Sequence, residues 1–218
     1  MTTTRPPITV RTDIDGTRHP RETVLAWELD RARAALRLLK LRLGDDRVRE
    51  LLAPDTAEAD TVLAGLLRAS GGRWRSAVTE LTAEGIDAGR FLGWWQGRLR
   101  APDRAALLAA NPEHYLADST GGQVEIIETV GAGPLRFFLR FDAPTATPEY
   151  PVRIGGTGRL ADGSEVLRVM HEFADSPDGL RIRLTVEFPE AAPDELAAGH
   201  QWHFACEFAN WLEAAAAA

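Results

Sequence analysis

His200, His203 and Glu207 lie on a stripe of the last predicted helix that would ordinarily be apolar. From Leu196 to Trp211 the residues of this stripe recur at three- and four-residue spacing, so they share one helix face. A buried polar side chain without a partner costs about 1–3 kcal/mol, because it has lost its hydrogen bonds to water. The stripe therefore predicts a cluster of partnered polar groups in the interior.

A third histidine is expected to join this cluster. His171 falls on the apolar side of a predicted strand, which is the side that should face the closing helix. Glu207 follows His203 by four residues, so its carboxylate can accept a hydrogen bond from the imidazole and fix its tautomer. We predict an acid–base site in which His203 is the base, Glu207 orients it, and His171 or His200 is the acid or the ligand anchor. The alternative is a hydrogen-bonded buried network that only fixes the helix register.

The spacing along the helix argues against a metal ion. His200 and Glu207 are about 10.5 Å apart along the axis, whereas ligand bonds to zinc are about 2.1 Å long. An ion in this region would need His171 or another ligand from outside the helix. No dedicated metal or cofactor motif is present, so the sequence predicts no metal and no cofactor.

Composition limits the class of partner and the compartment. The net charge of −7, without a basic run, argues against nucleic acid and against an anionic membrane surface. No apolar run reaches the roughly 18 residues of a membrane span. Residues 1–7 lack the apolar core of a signal peptide, and the single Cys206 argues against a disulfide framework, so a cytoplasmic location is expected. Lys40 is the one lysine among 25 basic residues, a usage typical of GC-rich bacterial genomes.

The first half of the chain predicts helices. After an N-terminal arm (1–19), in which Asp13–Thr17 predicts a turn, residues 20–114 form the predicted helical region. Apolar residues recur there at helical spacing in five runs, and short connections favour an antiparallel bundle. The runs are Pro20–Gly44, Ala57–Arg68, Trp74–Glu84, Ala88–Leu99 and Asp103–Ala110.

The second half (115–218) predicts an antiparallel sheet and one long helix. Apolar and polar residues alternate with a period of two, and Ala161–Ser164 and Asp175–Gly179 are hairpin turn signals. The glycines of Gly155–Gly158 predict a bulge or a close ligand approach. About five strands form the predicted meander, and Pro193 and Asp194 open the closing helix. The five are Val124–Val130, Leu135–Asp142, Val152–Leu160, Leu167–Phe173 and Ile182–Phe188.

The predicted fold class is therefore α+β: an N-terminal helical bundle, then an antiparallel β-meander of about five strands closed by a long C-terminal helix. The sheet and its closing helix resemble helix-grip folds, in which a helix closes a cavity over an antiparallel sheet. Phe137, Phe204 and Trp211 are expected to line such a cavity.

Three classes of function follow from this plan. The leading hypothesis is a small bacterial enzyme that acts on an apolar small molecule by acid–base chemistry, as a cyclase, isomerase, lyase or hydrolase. The second is a non-catalytic small-molecule-binding or accessory protein. The third is a structural partner that interacts through the helical half, with Trp94 and Trp95 exposed. The sequence is compatible with a homodimer.

Overall fold

The computed structural model describes residues 10–101, 105–120, 122–131 and 133–218, and the chain forms two compact units, Met1–Arg42 and Leu43–Ala218. The first unit contains a hairpin of strands β1 (Thr12–Ile14) and β2 (Thr17–His19), followed by the beginning of helix α1. Asp15 and Gly16 have positive φ angles of 49° and 78°, which a tight hairpin turn requires. The turn predicted at this position is present, and the earlier part of the predicted arm lies outside the described residues.

Helix α1 (Arg21–Ser70) contains the first two predicted helices. Gly44 interrupts the helical geometry with φ 70° and ψ 166°, and the helix resumes after it. Among the described residues, the rest of the predicted helical region contains only two shorter helices, α2 (Ala88–Arg100) and α3 (Ala105–Ala109). The predicted bundle of five short helices is therefore wrong, and Asp103, the predicted start of the fifth, lies outside the described residues.

The predicted helix Trp74–Glu84 is a strand. Strand β3 (Trp74–Ala83) pairs antiparallel with β9 (Gly179–Pro189) along its whole length. Trp74, Val78 and Leu81 recur at helical spacing, but strand preference depends on the neighbours that a strand finds in the fold. Long-range pairing therefore overrides the local pattern here.

The sheet has seven antiparallel strands in the order β3-β9-β8-β7-β6-β5-β4, two more than the sequence predicts. The five predicted strands are present, and β3 and β4 extend the sheet at its two edges. The remaining strands are β4 (His114–Thr120), β5 (Gln123–Val130), β6 (Gly133–Asp142), β7 (Val152–Arg159) and β8 (Glu165–Ser176).

The glycines of β7 let side chains of the neighbouring strands approach its backbone. A Cβ atom at Gly158 would lie 2.6 Å from Leu167 Cγ and 3.1 Å from Phe137 Cδ2. The pairing with β8 also shifts register between Gly158 and Arg159. The predicted bulge is therefore present, and side chains of β6 and β8 make the close approach.

Helix α4 (Asp194–Ala216) is the closing helix that the sequence predicts. Two hydrogen bonds hold it against β3: Gln201 Nε2 donates to the Val78 carbonyl at 2.7 Å, and Thr79 Oγ1 donates to the Gln201 carbonyl at 3.1 Å. The predicted stripe is buried, since His200, His203 and Glu207 are each less than 10% exposed. No α-helix among the described residues has the length and apolar character of a membrane span.

Arg49 of α1 carries an ion-pair network to β4 and β5. Its guanidinium lies 2.9 Å from the carboxylates of Asp118 and Glu125, and Arg136 lies 2.7 Å from Glu125. Removing one partner of a fully buried pair costs about 3–5 kcal/mol. Because Arg49 is partly exposed and Glu125 retains Arg136, we expect Arg49→Met to lower the free energy of unfolding by about 2 kcal/mol.

Urea unfolding of the variant measures this loss. The matched control is Arg47→Met, which removes an exposed pair with Glu50 and should cost less than about 0.5 kcal/mol. An Arg49 variant as stable as this control would contradict the structural role of the network.

Candidate functional site

A cavity of about 80 Å³ lies beneath α4, between this helix and the inner face of the sheet. Most of its wall is apolar. The wall includes the four polar side chains and the three aromatic side chains that the sequence predicts for the site. The structure brings all seven predicted site residues to this wall: His171, His200, His203, Glu207, Phe137, Phe204 and Trp211.

A pair of imidazoles forms the centre of the polar part of the wall. His114 Nε2 and His203 Nε2 are 2.9 Å apart, and both side chains are buried. His114 begins β4, whereas His203 lies in the middle of α4, so the pair joins the edge of the sheet to the closing helix. Asn111 supports the same junction by donating from Nδ2 to the backbone carbonyl of His203 at 3.4 Å.

Two buried carboxyl groups face this imidazole pair. Glu128 Oε2 lies 3.5 Å from both Nε2 atoms. Glu207 lies 3.7 Å from His114 Nε2 through Oε1 and 4.0 Å from His203 Nε2 through Oε2. The contact predicted between His203 and Glu207 is therefore longer than a hydrogen bond, and Glu128 is the nearer carboxyl group.

The backbone positions the two groups that come from the sheet. His114 and Glu128 are directly paired residues of β4 and β5. The Leu107 carbonyl of α3 lies 3.3 Å from His114 Nδ1. Because a carbonyl oxygen can only accept, Nδ1 carries the proton, and the lone pair of His114 Nε2 faces the cluster.

His171 and His200 lie on the cavity wall but outside this cluster. The ring of His171 packs edge-on against Phe204 and Phe208, with centroids 5.5 and 5.2 Å away. Neither ring nitrogen of His171 has a hydrogen-bond partner among the described residues. His200 stacks on His203, with ring centroids 5.0 Å apart. Of the four predicted polar residues, His203 and Glu207 therefore belong to the cluster, and His171 and His200 lie beside it.

Burial moves the pKa values of these groups toward their uncharged forms. It lowers the pKa of His171 and of His203 to about 4, and that of His200 well below its usual value. Burial, with the nearby charge of Glu113, raises the pKa of Glu128 to about 8. Burial and the charge of Glu128 raise the pKa of Glu207 well above its usual range. The side chains alone are therefore largely uncharged near neutral pH.

Sequence reasoning missed His114 and Glu128. Glu128 shares a strand face with Val124 and Ile126, all three of which line the cavity, so the alternation in the predicted strand contained the signal. His114 was assigned to the end of the helical region, two residues after the stop at Pro112. Its role depends on the pairing of β4 with β5, which no local pattern shows.

A second, larger groove of about 1170 Å³ lies on the other side of the imidazoles. Its walls include residues of α1 from Asp55 onward, the turn after β5 and the first half of α4. His200 and His203 line both the groove and the cavity. The two histidines therefore lie between the outer groove and the interior.

No protein-family model and no curated protein sequence matches the chain. Solved structures of similar shape include Ara h 8.0201, at 11% identity over 67% of this chain and 100% of that chain, with a TM-score of 0.49. The protein MLL2253 of Mesorhizobium loti has 12% identity, coverage of 64% and 95%, and a TM-score of 0.38. DynU16, a protein in the dynemicin biosynthetic locus, has 14% identity, coverage of 64% and 46%, and a TM-score of 0.36. Similarity at these levels gives the chain no family and no activity.

Proposed function

We propose that the protein binds an apolar small molecule in the cavity beneath α4 and that His171 hydrogen-bonds the polar group of this ligand. The observation that supports the proposal is the environment of His171. Its side chain is buried, and both ring nitrogens are without a hydrogen-bond partner among the described residues. Such a group is costly in a folded protein, and a ligand hydroxyl or carbonyl would offset that cost.

The size of the cavity limits the ligand. An engineered apolar cavity of about 150 Å³ in another protein accommodates benzene. The cavity here, about 80 Å³, is smaller, so a guest with one ring requires a small outward movement of the walls. The ligand portion that enters is therefore a single ring or a short aliphatic chain with one polar group.

Two probes of the same shape test the proposal. We expect para-fluorophenol, which can hydrogen-bond to His171, to bind more tightly than para-fluorotoluene, which cannot. His171→Leu should remove the preference for the phenol, a loss of about fivefold to tenfold in affinity for one hydrogen bond, while the toluene still binds. Fluorine NMR titration measures both affinities.

The control variant is Trp202→Ala, an exposed position on the same helix at 79% exposure, which should leave both titrations unchanged. Failure of both probes to bind the wild-type protein would contradict the cavity as a binding site. Equal affinities in wild type and in His171→Leu would contradict the role of His171 alone.

Acid–base catalysis on the bound ligand is the second candidate function. It is favoured by the 3.5 Å separation of an imidazole, His203, and a carboxyl group, Glu128, on the same cavity wall. His203 keeps the role of base in this proposal, and Glu207, 4.0 Å away, helps to fix its position. Transfer of a proton from carbon to His203 is the step that this arrangement serves.

Deuterium exchange at the methyl group of acetophenone in heavy water provides the test. The wild-type protein should accelerate the exchange above the buffer rate, and His203→Gln should return it to that rate while the melting temperature is kept. Exchange at the buffer rate with the wild type would count against the catalytic proposal and leave ligand binding intact.

The third class of function, a partner surface on Trp94 and Trp95, loses its main support. Trp95 is 3% exposed, and its ring packs against Trp211 and Phe208 in the core. Trp94 is half-buried against the same core. These side chains stabilise the unit Leu43–Ala218 and are not available as a pair to a partner.

A further inference from the structure

The geometry points to a site for one divalent transition-metal ion at the cavity wall, held by two imidazole nitrogens and one carboxylate oxygen. The ligands are His114, His203 and Glu128, and Glu207 is the next nearest carboxyl group. This inference goes beyond ligand binding and does not depend on it, because the ion would bind whether or not an apolar molecule occupies the cavity.

The distances between the donor atoms fit a shared ion. Two nitrogen atoms that each lie about 2.1 Å from an ion are about 3.0 Å apart at a right angle and about 3.4 Å apart at a tetrahedral angle. The observed separations are 2.9 Å between the two Nε2 atoms and 3.5 Å from each of them to Glu128 Oε2. One ligand atom from each of these three residues lies within 4.8 Å of the others.

The orientation of the rings gives an independent reason. The Leu107 carbonyl 3.3 Å from His114 Nδ1 fixes the proton there, so Nε2 presents a lone pair. His203 Nδ1 lies 3.6 Å from the carboxylate of Glu113 and has no hydrogen-bond partner among the described residues. With its own proton on Nδ1, His203 would present a second lone pair 2.9 Å from that of His114, an arrangement that a cation between the two nitrogen atoms stabilises.

Metal-binding histidines in proteins commonly have such outer partners. Their second ring nitrogen donates to a backbone carbonyl or a carboxylate, which sets the ring orientation and raises the basicity of the ligating nitrogen. The Leu107 carbonyl occupies this position for His114, and the Glu113 carboxylate lies on the corresponding side of His203, 3.6 Å from Nδ1.

The carboxyl groups of the site have no arginine or lysine partner among the described residues. Within the described part of the chain, the ion-pair contacts of Glu128 and Glu207 are to His114 and His203 alone, with no arginine or lysine. Buried charges in proteins are generally paired or coordinate metals. A divalent cation at this point would favour the ionised form of the carboxyl groups, which burial alone disfavours.

The sequence predicted no metal because α4 and His171 were the only sources of ligands that it placed together. Strands β4 and β5 supply two further donors, so the long distance between His200 and Glu207 no longer limits the site. Imidazole and carboxylate ligands together suit Zn²⁺, Fe²⁺ and related first-row ions. Since all four side chains also line the cavity, an open coordination position would face the bound molecule.

Calorimetric titration of the chelator-treated full chain with Zn²⁺ tests the inference. We expect one ion per chain, and we expect His203→Gln and Glu128→Gln each to weaken binding at least 100-fold. Substitution with Co²⁺ provides a second readout, since visible absorption bands with imidazole and carboxylate ligands should appear in the wild type and be lost in both variants.

Two controls match the variants in residue type. Glu172→Gln removes a buried carboxylate that pairs with Arg153 outside the cavity, and His19→Gln removes a histidine of the N-terminal hairpin. Both should bind Zn²⁺ within threefold of the wild type. Circular dichroism checks the fold of each variant, and if His203→Gln is unfolded, Glu128→Gln and the Co²⁺ spectrum decide.

The inference is overturned if the wild type binds no Zn²⁺ stoichiometrically, or if the cluster variants bind as tightly as the two controls. In either case, a direct hydrogen bond between His114 and His203 would explain their close contact. Titration with para-fluorotoluene in the presence of chelator remains a separate test of the cavity, so failure of the metal site and failure of ligand binding are distinguishable.

Discussion

Replacing Phe208 with alanine is expected to lower the free energy of unfolding by about 4 kcal/mol, since deletion of a buried aromatic ring costs about 3–5 kcal/mol. Phe208 is 0% exposed and lies where α4 meets α2 and the sheet. Its ring centroid is 6.0 Å from that of Phe91, 6.5 Å from that of Phe173 and 5.2 Å from that of Trp211. The lost ring removes contacts with α2, with β8 and within α4 itself.

Urea unfolding followed by tryptophan fluorescence measures this loss. Trp202→Ala on the same helix is the matched control, because Trp202 is 79% exposed and its removal should change stability by less than about 0.5 kcal/mol. A loss below about 1 kcal/mol for Phe208→Ala would show that α4 does not pack on the core as described.

His171 is expected to make the protein less stable in acid. Burial lowers its pKa in the folded state to about 4, whereas the unfolded chain has a value near 6.5. Between these two values the unfolded chain takes up a proton that the folded chain does not, so the contribution of His171 to stability is present above pH 6.5 and declines as the pH falls. The decline should reach about 2 kcal/mol at pH 5 and about 3 kcal/mol at pH 4.

The comparison with His171→Leu isolates this contribution. The other titratable groups of the wall, which are His200 and the cluster of His114, His203, Glu128 and Glu207, are kept in both proteins, so their own titrations largely cancel in the difference. We expect the leucine variant to gain about 2 kcal/mol relative to the wild type between pH 7.5 and pH 5 in urea unfolding. A difference that stays constant with pH would mean that His171 is hydrated or paired in the folded protein.

Local sequence patterns predicted the elements that depend on local chemistry. The turns at Ala161–Ser164 and Asp175–Gly179 contain glycines with φ angles of 88° and 117°, which other residues rarely adopt. Helix α4 was visible because Pro193 precedes it and its buried stripe repeats over five positions. Strand β3 could not be recognised from the sequence, since only Ala77 within it is buried and its pairing partner, β9, is about 100 residues later in the chain.

Some residues of the candidate site could likewise be predicted from local patterns, and others could not. His200, His203 and Glu207 could be predicted, because a polar residue on a buried helix stripe is evident within one element. His114 and Glu128 could not be placed beside them, because β4 and β5 meet α4 only through the order of strands in the sheet. The outer partners of the imidazoles, Leu107 and Glu113, likewise become visible only when α3 is packed on the sheet.

A crystal structure of the protein soaked with para-bromophenol would show directly whether a ligand binds beneath α4. We expect an anomalous bromine peak beneath α4, with the phenol oxygen within hydrogen-bond distance of a His171 ring nitrogen. A cavity filled by repacked side chains, with bromine peaks only on the outer surface, would contradict ligand binding at this site.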